Sequence, residues 1–142
     1  MKLGNVMIGS ENSKILGDFY TKVFGKPGWQ QNDWYGFDLG GSYLMIGPHS
    51  EVHGKNESPG RIMFALETDN VQAEFTRIKG LGAEVIAEPY QPDKDRDSNA
   101  WLSTFADSDG NYFQLLTPMK MLFLARFIFI FFQNFQNFSN TF

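Results

Sequence analysis

One order of elements is written twice along this chain: strand, helix, strand, strand, strand. Residues 3–9 read as a strand. Asn12 or Ser13 can cap a helix that follows, in which Ile15, Leu16, Phe19, Tyr20, Val23 and Phe24 recur at helical spacing. Gly25 stands where a C-terminal cap belongs, and Pro27 forbids continuation. Three short strand candidates come next, Trp29–Gln31, Trp34–Leu39 and Ser42–Gly47, punctuated by Gly36 and by Gly40-Gly41. Then the order restarts. Arg61–Thr68 is a strand candidate, Asp69 or Asn70 a cap, and Val71, Phe75 and Ile78 the inner side of a second helix that Gly80 and Gly82 end. Ala83–Glu88, Trp101–Ala106 and Asn111–Thr117 complete the second set of strands. Residues 48–60, rich in Pro, Gly, Ser and charge, read as the linker between halves. The repeat is one of element order, with Asn12 and Asn70 in matching places.

The stretch from Phe105 to Leu116 is the sharpest local signal. Asp107 and Asp109 can bond their own backbone, and Gly110 can take the positive φ that a tight turn needs. In the strand that follows, Phe113 and Leu115 point one way and Tyr112, Gln114 and Leu116 the other. Extended to the other strands, this alternation puts Val6, Ile8, Leu44, Ile46, Phe64, Leu66, Phe113 and Leu115 under the helices. Each such side chain, once buried, contributes roughly 1.5–3 kcal/mol. The opposite face carries Asn5, Met7, Tyr43, Met45, Met63, Ala65, Tyr112 and Gln114. It is mixed, soft and partly polar, which suits a ligand cup better than a dry core.

Bulk properties narrow the partners. The 142 residues make one domain, long enough for a core without staples. Cysteine is absent, which removes disulfides, thiolate metal sites and a cysteine nucleophile. Net charge is −4 with both signs interspersed, so nucleic acid and anionic membranes are poor partners. Residues 1–5 hold no apolar signal-peptide core, and a cytoplasmic location is expected.

The doubled grammar resembles the vicinal oxygen chelate superfamily, which includes glyoxalase I, bleomycin-resistance proteins and extradiol dioxygenases. The resemblance covers about residues 3–118. It rests on Asp18-Phe19-Tyr20 with Val23-Phe24-Gly25, on Thr68-Asp69-Asn70 with Gly80-Leu81-Gly82-Ala83, and on Asp107-Ser108-Asp109-Gly110-Asn111. It implies an α+β fold: two βαβββ modules (3–47 and 61–118), each a curled mixed sheet, around a central cup. It also implies a homodimer, to which exposed strand edges add weight.

Family enzymes hold a divalent metal with His, Glu or Gln from cup-facing strands. Carried over to this chain, the four places fall on Asn5, Met45, Met63 and Gln114. Neutral amides and thioethers suit no hard dication, and no carboxylate balances the charge. No metal or other cofactor is therefore expected. The leading expectation is a small-molecule binding protein of the glyoxalase/bleomycin-resistance type, sequestering or resistance-like. The ligand would be lined by Asn5, Met7, Trp34, Met45, Met63, Trp101, Tyr112 and Gln114. The alternative is a glyoxalase-like lyase or isomerase, or a dioxygenase, acting on a small oxygenated substrate.

Weaker candidates complete the picture. His49 and His53 lie in a stretch without a helical stripe and read first as an exposed loop; folded over the cup mouth, His53 would serve as a polar contact or a base. Glu67 falls on the cup face near a strand end, either a rim residue in water or a desolvated base. Of the aromatics, Trp34 and Trp101 are the preferred cup walls. Residues 93–99 read as a solvated loop. The Phe-, Asn- and Gln-rich residues 119–142 lie outside the family pattern. Their apolar run, 121–132, is shorter than the roughly 20 residues a membrane span needs.

Overall fold

The computed structural model describes residues 2–92 and 100–118; the expectations for 93–99 and 119–142 lie outside these. Strand β1 (Asn5–Ser10) leads into helix α1 (Ser13–Phe24) and then into β2 (Trp29–Gln31), β3 (Trp34–Asp38) and β4 (Tyr43–Pro48). After the linker come β5 (Phe64–Glu67), helix α2 (Val71–Gly80), β6 (Glu84–Tyr90), β7 (Leu102–Ala106) and β8 (Tyr112–Leu116). The strands form two four-stranded sheets, ordered β1-β4-β3-β2 and β5-β8-β7-β6. In each sheet the first strand runs parallel to the last, and the remaining neighbours are antiparallel. The architecture is the α+β pair of curled βαβββ sheets that the element order implies.

Local chemistry sets the ends. Asn70 Oδ1 accepts from the Ala73 N–H at 3.0 Å and caps α2. Asn12 occupies the matching place on α1, but its side chain makes no cap bond. There the Asn12 carbonyl accepts from Ile15 and Leu16, and Ser10 Oγ accepts the Asn12 N–H. The strand expected over 61–68 shortens at its start. Pro59, with no N–H and a fixed φ, opens a 3₁₀ turn through Arg61, and pairing begins only at Phe64.

Strand alternation sorts the faces as the sequence implies. Leu44, Ile46, Phe113 and Leu115 are buried under the helices; Val6, Ile8, Phe64 and Leu66 are partly buried against the same cluster. That cluster is continuous across both sheets. Tyr20 of α1 is fully buried and meets Phe37 of its own sheet, and also Phe64 and Phe113 of the other. Its hydroxyl donates to Asp107 Oδ2 at 2.9 Å. From the opposite direction, Arg77 of α2 donates to the Val23 carbonyl at 2.9 Å, in the last turn of α1. These polar clips join the two halves through the C-terminal half of one helix.

Asp107 also organises its turn. Its Oδ1 accepts the N–H groups of Asp109 and Asn111, both at 2.9 Å, while Gly110 takes φ of 80°. Asp109 contributes its main-chain carbonyl, which accepts from Asn56 in the linker at 2.8 Å. Burial pushes the Asp107 carboxyl above the ordinary carboxylate range, and bonds from Asn111, Tyr20 and Asp109 pull the other way. Burial, then the neighbouring Asp107 charge, raises the Tyr20 hydroxyl well above its ordinary value.

Two outcomes follow. Tyr20→Phe keeps the ring but takes one donor from a buried carboxylate, and should cost about 1–3 kcal/mol in urea unfolding. Because the folded Asp107 pKa is raised, its stabilising contribution is full below about pH 4 and is lost as pH rises through the folded value. The stability advantage of the native protein over Asp107→Asn should therefore be largest in acid and narrow toward neutral pH. A gap that widens with pH would contradict this.

Candidate ligand-binding site

The sheet faces turned away from the helices carry a defined set of side chains. In the first sheet the register lines up Asn5 with Tyr43, Met7 with Met45, and Gly9 with Gly47. Met45 is opposite Gly36, which is opposite Trp29. In the second sheet Ala65 is opposite Gln114 and Gln114 opposite Thr104, whose hydroxyl oxygen accepts from Gln114 Nε2 at 3.3 Å. That bond leaves Gln114 Oε1 as an acceptor facing the cup.

Glycines set the shape of the first wall. A methyl on Gly47 would overlap the Trp34 ring, so the indole lies flat on bare backbone. A methyl on Gly36 would sit 3.2 Å from the Met45 sulfur and 3.6 Å from Trp29 Cε3. A methyl on Gly9 would sit 2.8 Å from His49 Cβ, so the turn after β4 folds back onto β1. The wall is a row of flat or soft groups, Trp29, Met45 and Trp34, backed by backbone.

Among the described residues, strands β1 and β5 are each paired on one side only, and cavities mark the seam between them. One, of about 460 Å³, is lined by Met7, Gly9 and Tyr112 and by His53 and Lys55 of the linker. The other, of about 810 Å³, is lined by Tyr43, Met63 and Glu67 and by Val23 and Ile78 of the helices. Val6, Ile62 and Phe64 line both. The linker is strapped down by Glu11 Oε2, which accepts from Gly54 at 2.9 Å, and by Asn56 Nδ2, which donates to Asn111 Oδ1 at 2.9 Å.

Of the residues expected to bind a ligand, Asn5, Met7, Trp34, Met45, Tyr112 and Gln114 stand on the cup face by register. Met7 and Tyr112 reach the smaller cavity and Met63 the larger; Asn5, Trp34, Met45 and Gln114 line neither. Met63 precedes β5 rather than sitting within it. Trp101 stands apart from these. Ser103 and Phe105 pair with Leu115 and Phe113 on the helix side, and Trp101 shares their parity. It packs against the core cluster instead of walling the cup. The indole that does share the face with Trp34 is Trp29, 47% exposed. His53 is exposed, with Nδ1 4.0 Å from Glu11 Oε1. Glu67 is exposed on the rim of the larger cavity.

The arrangement defines a class: a double-module cup whose inward strand positions are available for a small molecule. Residues 5–116 match the model of the glyoxalase-like domain, and the chain belongs to that family, within the vicinal oxygen chelate superfamily. Its fold is shared by a glyoxalase/bleomycin resistance protein from Albidiferax ferrireducens T118 (18% identity, TM-score 0.63, covering 82% of this chain and 98% of that one). A glyoxalase/bleomycin resistance protein/dioxygenase from Alicyclobacillus acidocaldarius is similar at 13% identity and TM-score 0.64, covering 84% and 92%. A glyoxalase-related enzyme from Fulvimarina pelagi aligns at 16% identity and TM-score 0.62, covering 83% and 88%. No protein of curated function matches the chain.

The metal that the fold family implies does not fit the donors present. Asn5 and Gln114 offer neutral amides, Met45 and Met63 thioethers, and Ala65, the register partner of Gln114, offers nothing. A hard dication stripped of water needs charged oxygen or imidazole ligands. Among the described residues, no group of three or more His, Asp or Glu is placed to hold an ion.

The close approach at Gly47 gives a direct check. Gly47→Ala should force Trp34 off the sheet, cost about 1–3 kcal/mol through overpacking, and shift indole emission. Unchanged stability and emission would show that the ring does not rest there.

Proposed function

We propose that this protein binds a small organic molecule in the cup without a metal ion, and sequesters it rather than transforming it. One observation carries the reading: the places where the family holds its metal are filled by amides and thioethers, while flat rings stand beside them. Thioethers and indoles bury apolar surface and adapt to irregular shapes. Gln114 and Asn5 would orient the ligand through amide hydrogen bonds, the first braced by Thr104. The bleomycin-resistance name carried by fold relatives is in keeping with a sequestering role. A homodimer belongs to the same reading, since β2 and β6 each leave an outer sheet edge.

Native mass spectrometry of freshly purified protein, paired with elemental analysis, tests this. The expected result is a dimer mass, no stoichiometric divalent metal, and a retained organic ligand whose binding survives a chelator. Stoichiometric metal together with chelator-sensitive turnover would overturn it.

One geometric fact favours a second reading. Glu67 lies at the larger cavity, where a carboxylate can serve as a metal-free base in proton transfer. On that reading Glu67→Gln would lower turnover of any substrate found by about 10²–10⁴-fold. Full turnover by the variant would remove it.

A further inference from the structure

We infer that the cup selects planar aromatic cations. The inference rests on the binding function proposed above and names the chemistry of its ligand. Its first support is where the charges lie. The chain has 12 Lys and Arg, yet none falls in any of the eight strands, which hold Asp38, Glu67, Glu84 and Glu88. Glu88 is answered by Lys79 of α2 at 2.9 Å. The other three take cup-facing positions by register, opposite Tyr43, Leu116 and Ala106. Of the cations near the seam, Lys55 at the smaller cavity shares that lining with Glu51 and Asp109, and Arg77 at the larger is paired with Glu74 at 2.8 Å, with Glu67 in the same lining. The strands thus present an acidic field to anything entering between the sheets, and a concave, low-dielectric surface concentrates it.

The second support is shape. Trp29 and Trp34 stand on the same face of neighbouring strands, with the Met45 sulfur beside Trp29 over Gly36. Indole faces are electron-rich and attract cations held above them, and a flat ring system covers both more fully than a bulky one. Asp38 lies two residues along β3 from Gly36, on that same face, and supplies a carboxylate at the end of the platform. Its Oδ1 accepts from the Gly40 N–H at 2.9 Å, which fixes the group without neutralising it.

Calorimetric titration with three tricyclic probes of one shape tests this at neutral pH: proflavine as cation, acridone as neutral, and acridine-9-carboxylate as anion. Proflavine should bind about tenfold tighter than acridone and lose its lead at high salt, with the carboxylate weakest. Trp29→Ala, at a half-exposed position, should weaken proflavine about tenfold, and Trp29→Phe should restore part of the loss. Asp38→Asn keeps the acceptor for Gly40; it should weaken proflavine about threefold and leave acridone unchanged. Equal or tighter binding of the carboxylate, or no effect of Trp29→Ala, overturns the inference. Acridone binding as tightly as proflavine removes the charge preference but leaves the binding function standing. If none of the three binds, the inference falls, and the retained-ligand mass spectrum decides the binding function separately.

Discussion

The bond from the Tyr20 hydroxyl to Asp107 is the constraint on which the two halves of this molecule depend. Tyr20 belongs to the first helix, and Asp107 to the turn between the last two strands, 87 residues on. Hydrophobic contact alone would let α1 slide over the second sheet, because ring faces are tolerant of small shifts. A buried hydroxyl aimed at a buried carboxylate is not tolerant. Displacement would leave the buried hydroxyl without a partner and take one donor from the carboxylate, which keeps its bonds from Asp109 and Asn111, at a cost above that of a shifted ring contact. The same carboxylate closes its own turn through Asp109 and Asn111. One side chain therefore fixes a local hairpin and the angle between modules together.

Much of the fold was legible because the strands of the outer pairs alternate cleanly. Val6, Ile8, Leu44, Ile46, Phe113 and Leu115 differ in polarity or size from their neighbours, and parity alone assigns their face. Strand β7 reads Leu-Ser-Thr-Phe-Ala, where the buried positions include a serine and a threonine. No contrast marks its two faces. Only Phe105, tied to Phe113 by pairing, shows which parity is inward, and pairing is not written in a single strand. That is why Trp101 lands under the helices while Trp29, on a three-residue edge strand, takes the cup. The turn at 107–111 was legible for the opposite reason: its chemistry is local. The 3₁₀ turn at Pro59 was not, since an apolar run such as Ile62–Leu66 reads as strand until pairing registers are known.

The site was legible in composition and obscure in geometry. Amides and thioethers at the inward places can be read from parity. The glycine-backed wall cannot, because a glycine opposite an aromatic carries no side-chain signal of its own. Gly47 and Gly9 fall at the ends of strand candidates in the sequence, and both sit in paired strands. They are small so that Trp34 and His49 can lie on them.

The seam between β1 and β5 explains why helix-side packing bears on the cup. Among the described residues no strand pairing bridges the two sheets, so ladder bonds there do not set the distance between their inward faces. That distance is set from behind, by Phe19 and Tyr20 against Phe113, by Arg77 on the end of α1, and by the linker bonds to Asn111. Well-packed aromatic contacts compress little, so a change in volume there is passed on as a rotation of one sheet against the other. Phe19, on the helix side, meets Phe113, whose chain neighbour Tyr112 lines the smaller cavity with Met7. Cups built on paired sheets would resist this, because ladder bonds would hold the rim. Here the rim follows the core, and the same core face that stabilises the fold also tunes what the opposite face can enclose.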